Sequence, residues 1–158
     1  MVRTKRFSYF MVLALFFSSI QIQHSDAGLL GPSADTKKCV ATLKGLAKPE
    51  AKLLSRYGAV TGSNYKDDET TYRALVALVP DVNEFIGRIE AITPKDAKLS
   101  KAVSLFAQGW NAQAEGMMLS IAAIETQDYA KAAQANKALA KGRALIRQFS
   151  LSFKPFIS

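Results

Sequence analysis

Histidine and cysteine are almost missing from this chain: His24 and Cys39 are the single examples of each among 158 residues. His24 falls in an N-terminal segment that reads as removable, so the remaining chain has no histidine. That excludes histidine-based acid–base catalysis, Ser-His-Asp and Cys-His nucleophilic sites, and ordinary zinc centres. Haem ligation and Glu-x-x-His di-iron sites fall with it. A lone cysteine cannot close a disulfide within the chain. Cys39 is either buried as a small apolar residue, free, or the link of a disulfide-bonded dimer, and its place beside Val40 favours burial. No glycine-rich phosphate loop is present, nor any block of five or six like charges. None of Asn64, Asn83, Asn111 and Asn136 begins a glycosylation sequon. The expectation is a protein without cofactor or metal, and not an enzyme. A carboxylate-dependent hydrolase is the residual catalytic alternative, with no positive feature behind it. Glu115 and Glu125, ten residues apart, are too far separated to share one site unaided.

What the chain does contain begins at its N-terminus. Arg3, Lys5 and Arg6 lead into an apolar run from Phe7 to Ile20, then a polar stretch that closes on Ser25-Asp26-Ala27. A basic head, a short apolar middle and small residues at the end form the pattern of a cleavable signal peptide spanning 1–27. The run is shorter than the roughly 20 apolar residues a spanning helix needs, so cleavage is preferred over a retained membrane anchor. Cys39 follows Thr36-Lys37-Lys38 and does not sit at the cleavage point, which argues against a lipoprotein. The expected product is secreted, periplasmic or in the cell envelope. It would comprise a short extended lead-in over 28–34 and one domain over 35–158.

Nearly half of the residues are apolar (49%), which supplies one real core and argues against disorder. The whole chain carries a net charge of +8, and the part after residue 27 keeps about +6 by the same count. Such an excess favours anionic surroundings.

From Asp35 onward the apolar spacing is helical throughout. Val40, Leu43, Leu46, Leu53, Leu54, Tyr57 and Val60 mark a first stretch, capped by Ser33 or Asp35, with a kink or fresh start expected at Pro49 and a stop at Gly58 and Gly62. A second begins at Asp67-Asp68-Glu69. These three acids read as caps on free amides rather than as a metal site, because no other ligand type accompanies them. Its apolar face runs Tyr72, Leu75, Val76, Val79, Val82, Phe85, Ile86, Ile89 and Ile92, with a bend expected at Pro80. Thr93-Pro94-Lys95-Asp96 predicts a boundary with Thr93 as N-cap. A third helix then runs to about Thr126 with Gly109 and Gly116 inside it, and a fourth is capped by Asp128 and stopped at Pro155. The fourth helix's apolar side is read to include Tyr129, Ala132, Ala133, Ala135, Asn136, Leu139, Ile146, Phe149 and Phe153. Four amphipathic helices with short connections predict an all-α, up-down-up-down four-helix bundle.

Two groups of residues are candidates for function. Trp110, Asn111, Gln113 and Asn136, together with Gln108, Glu115 and Gln134, form a polar constellation on the last two helices. Such groups either fix helix register through a cross-helix bond or line a small pocket beside Trp110 able to carry an apolar ligand. Met117-Met118 point about 100° apart and read as packing. Lys137, Lys141, Arg143 and Arg147, with Lys131 nearby and Phe149, Phe153 and Phe156 downstream, resemble a basic amphipathic segment suited to anionic surfaces. Nucleic acid is not an expected target, since no recognition motif stands out. The leading expectation is an exported, non-enzymatic bundle that binds a partner protein or an anionic envelope component, with peripheral membrane contact. The alternative is a carrier of a small apolar ligand near Trp110.

Overall fold

A computed structural model describes residues 31–157. The proposed signal peptide and the first three residues of the lead-in lie outside the described residues; residues 31–33 form no regular element and Ala34 already opens a helix. The described chain is all-helical, with five α-helices: α1 (Ala34–Gly45), α2 (Ala47–Gly58), α3 (Asp68–Glu90), α4 (Ala97–Thr126) and α5 (Tyr129–Phe153). Single 3-10 turns follow at Gly62–Asn64 and Lys154–Phe156. No strand occurs among the described residues.

The first helical stretch is indeed interrupted, but the break falls at Leu46 rather than at Pro49. Pro49 occupies the third position of α2, where a missing N–H costs nothing because helix N-terminal amides have no intrahelical partner. Ser33 supplies the cap of α1, its Oγ accepting from Thr36 N at 3.1 Å. Asp35 takes a different role. Its Oδ2 accepts from the backbone N–H of Lys95 at 2.9 Å, tying the start of α1 to the α3–α4 connection. Gly62 takes a φ of +62°, open to glycine at no steric cost, and turns the chain towards α3.

Asp67 caps α3 through Thr70 N at 2.6 Å. Helix α3 continues through Pro80, which cannot donate to the preceding turn. Beside that gap Arg56 of α2 pairs with Asp81 and donates to the carbonyl of Ala77 at 3.2 Å. The boundary read at residues 93–96 exists, yet its cap is Asp96, which accepts from Leu99 N at 2.8 Å. Thr93 and Pro94 belong to the connection. Asp128 caps α5, accepting from Ala130 N and Lys131 N. Between α4 and α5 only Gln127 and Asp128 intervene, and Gln127 is held in the left-handed region at φ 49°.

From α2 onward, each helix runs antiparallel to the next. Arg56 meets Ala77 and Asp81, while Thr71 donates to the carbonyl of Val60 at 3.1 Å. Tyr72 donates to Glu125 at 2.8 Å, and Phe85 packs edge-on against Trp110 and Phe106. The core is built from Leu75, Leu78, Val82, Ile89, Leu99, Phe106 and Trp110, each no more than 2% exposed. An aromatic ladder continues from Phe106 through Phe149 and Phe153 to Phe156, with stacked rings 4.2, 5.2 and 6.4 Å apart.

The α4–α5 seam is closest of all. A Cβ on Gly116 would lie 2.5 Å from Leu139 Cγ, one on Gly109 2.7 Å from Ile146 Cγ1, and one on Gly142 2.7 Å from the Gly109 carbonyl oxygen. These glycines, unfavourable in a free helix, are needed because the two backbones nearly touch. Five residues read as core-facing or as packing turn out exposed: Val76 at 45%, Met118 at 58% and Tyr129 at 63%, together with Ala133 and Asn136. Tyr129 opens α5 about 120° to 180° round the helix from the buried Ala135, Gly142 and Ala138, at about 100° per residue, so it faces away from the seam.

Candidate functional site

The polar constellation on α4 and α5 separates into residues with different settings. Trp110 is fully buried, with its ring centroid 4.9 Å from that of Phe85. Gln113 is buried too, and its Nε2 donates to the Leu139 carbonyl of α5 at 3.1 Å. That bond crosses the seam and opposes sliding of one helix along the other. Asn111 is exposed and donates to Glu90 Oε1 and to the Ala107 carbonyl. Asn136 is exposed on α5, as are Gln134, Gln108 and Glu115 on their helices. Gln108 bonds only locally, to Ser104 Oγ. The four leading candidates therefore do not converge: Trp110 and Gln113 face inward, Asn111 and Asn136 face solvent.

What meets Trp110 is a residue that sequence reading passed over. Glu50, in the first turns of α2, is only 6% exposed, and its Oε1 accepts from the indole Nε1 at 3.2 Å. Burial pushes its carboxyl up to about 7, with the indole bond pulling modestly the other way. Glu50 stands in the series Leu46, Glu50, Leu53, Tyr57, all buried and spaced four, three and four apart. A carboxylate at an apolar position of a helical stripe was the available signal. Gln113 carries the same signal between Phe106, Trp110 and Met117.

Other buried polar groups are structural. Thr61 bonds the Tyr57 carbonyl and Ser120 the Gly116 carbonyl. The Tyr57 hydroxyl is pushed up to about 12 by burial, opposed by the nearby Arg143 guanidinium. Cys39 is buried and free, and desolvation together with Asp35 raises its thiol above the ordinary value. A cavity of about 30 Å³ between Tyr65, Asp68, Thr71, Ser120 and Ile124 has room for about one water molecule. No group of three or more histidine, cysteine or acidic side chains suited to a metal ion occurs among the described residues. No helix among them is long and apolar enough to cross a membrane.

The cations of α5 are arranged differently. Lys137, Lys141 and Arg147 are exposed, whereas Arg143 is half-buried near Tyr57. The ion pairs Arg56–Asp81 and Arg73–Glu69 involve none of them. After Asp128 the chain contains no acidic side chain, while Lys131, Lys137, Lys141, Arg143, Arg147 and Lys154 follow. Helix α5 is thus an acid-free, positively charged rod of 25 residues, about 37 Å long at 1.5 Å per residue. Its inner side is fastened to α4. No family model, curated protein or solved structure matches the chain.

Proposed function

We propose that this chain is an exported, non-enzymatic, up-down-up-down helical bundle that binds an anionic envelope component or an acidic partner through the outer face of α5. The carrying observation is the set of exposed, unpaired cations Lys137, Lys141 and Arg147 on a helix with no acid of its own. Unneutralised charges at close spacing raise the local concentration of anions and speed their arrival. Antiparallel contacts between sequential helices from α2 onward support the topology, and the basic-apolar-small order of residues 1–27 supports export.

Carriage of an apolar ligand beside Trp110 is less well supported. The indole is already packed by Phe85 and bonded to Glu50, and the 30 Å³ cavity has none of Trp110, Phe85 or Glu50 in its wall. The test of the favoured reading is expression with a C-terminal tag and fractionation of the host, followed by salt extraction. The expected result is a product beginning near Gly28, bound to envelope material and released between 0.1 and 0.5 M salt, roughly where screening of exposed charges becomes complete. Retention of residues 1–27 in the cytosol, or recovery of all the exported product in the soluble fraction at low salt, overturns it.

A further inference from the structure

We infer that the outer face of α5 lies flat on an anionic phospholipid surface. This rests on the reading of α5 as an anion-binding face and names what that face meets.

The geometry starts from the two large exposed apolar side chains of α5. Tyr129 is 63% exposed and Leu151 69% exposed, and they stand at opposite ends of the helix. They are 22 residues apart, and at about 100° per residue that places both on one longitudinal strip, offset by only about 40°. The exposed Ala133, Ala140 and Ala144 fall on the same strip between them. Positions 129, 140 and 151 repeat every eleven residues, about three full turns, so the strip runs nearly straight along the rod. Lys137 and Lys141 border it on one side, and Arg147 falls in line with Tyr129 along its other edge, all exposed.

A straight strip edged by cations suits a plane. Long basic side chains can bend outward to headgroups while the strip rests against the interface, and a tyrosine is at home at headgroup depth. An acidic protein partner is the poorer fit. Protein interfaces concentrate binding in a central cluster of large side chains, whereas here the large groups sit about 33 Å apart with alanine between. Each cation close to an anionic membrane adds attraction that fades within a Debye length.

The test uses the full chain, vesicles of phosphatidylglycerol with phosphatidylcholine, vesicles of phosphatidylcholine alone, and soluble poly-glutamate. The apolar Phe7–Ile20 segment is common to the parent and every variant, so the readout is the difference between them. The expected result is tighter sedimentation with anionic than with neutral vesicles, at least tenfold weaker in K137E/K141E. Leu151→Ser is expected to weaken anionic-vesicle binding several-fold while leaving poly-glutamate binding unchanged. These side chains are exposed, and circular dichroism verifies that the variants stay folded. Equal binding to both vesicle types, or no response to either variant, overturns the inference. If poly-glutamate is still held through Lys137 and Lys141, the anion-binding reading stands and only the lipid surface is lost. If neither probe responds to the charge reversal, both fall.

Discussion

The α4–α5 seam and the α2–α4 contact are joined by opposite devices. The seam excludes side chains: Gly109, Gly116 and Gly142 bring backbones together, and Gln113 crosses it with a single bond to Leu139. The α2–α4 contact instead encloses a carboxyl group, Glu50, with the indole of Trp110 as its hydrogen-bond partner. Close backbone approach is indifferent to acidity, whereas a buried acid makes the strength of a contact depend on its proton. One region of the bundle is therefore fixed by shape and the other by protonation.

The largest effect expected from this contrast comes from filling the seam. Gly142→Ala sets a methyl 2.7 Å from the Gly109 carbonyl oxygen and 2.8 Å from Gln113 Nε2, and neither neighbour is a free side-chain end. Overpacking of that kind costs about 3 kcal/mol, exceeding the gain in helix propensity of about 1 kcal/mol. Urea unfolding followed by circular dichroism measures it; a loss below about 1 kcal/mol means that the two helices can part cheaply.

Next comes the response of the α2–α4 contact to pH. The Glu50 carboxyl has a folded value of about 7, raised above its ordinary 4.5. The folded state therefore holds the proton more tightly than the unfolded chain. This contribution is complete below pH 4.5, declines through about 7 and is gone above it. The loss amounts to about 3 kcal/mol at 1.36 kcal/mol per pH unit. Glu50→Gln keeps a neutral acceptor for the indole, so it should add about 2 kcal/mol at pH 8 and little at pH 4. Parallel stability curves for parent and variant between pH 4 and 8 would remove the distinction between the two regions.

Two smaller effects sharpen the comparison. Gly87 lies inside α3, and a Cβ added there would meet nothing within 4 Å; Gly87→Ala should therefore gain about 0.5–1 kcal/mol in thermal or urea unfolding. The same substitution thus changes sign between an open helix surface and the seam. Gln127→Gly relieves the left-handed backbone at φ 49° that closes the seam's end. Its gain is smaller, about 0.5 kcal/mol, because the freer unfolded chain offsets part of the relief.

Helix content and most boundaries were legible in the sequence, for a local reason. Ser33, Asp67 and Asp128 cap through bonds reaching two or three residues ahead, and that range is visible in the chain itself. Thr93-Pro94 imitated a start signal, yet the actual cap was Asp96, because the preceding residues are needed to span from α3 and to meet Asp35. Helix phase was less legible. Tyr129 and Asn136 share a weakly amphipathic helix rich in alanine, whose buried side is selected by which residues let α4 approach, not by hydrophobicity. Glu50 was missed because the stripe around it was read through its apolar members. A polar residue on that stripe gains meaning only once its partner, sixty positions away, is known.

The solitary tryptophan sits at the junction where the acid is enclosed, far from solvent. Its emission is consequently an intrinsic gauge of that junction, sensitive to the charge on the neighbouring oxygen and to water seeping in as the N-terminal helices loosen. Events on the outward side of the final rod leave the same signal dark, so the molecule carries a probe that can tell internal loosening from external attachment without any label.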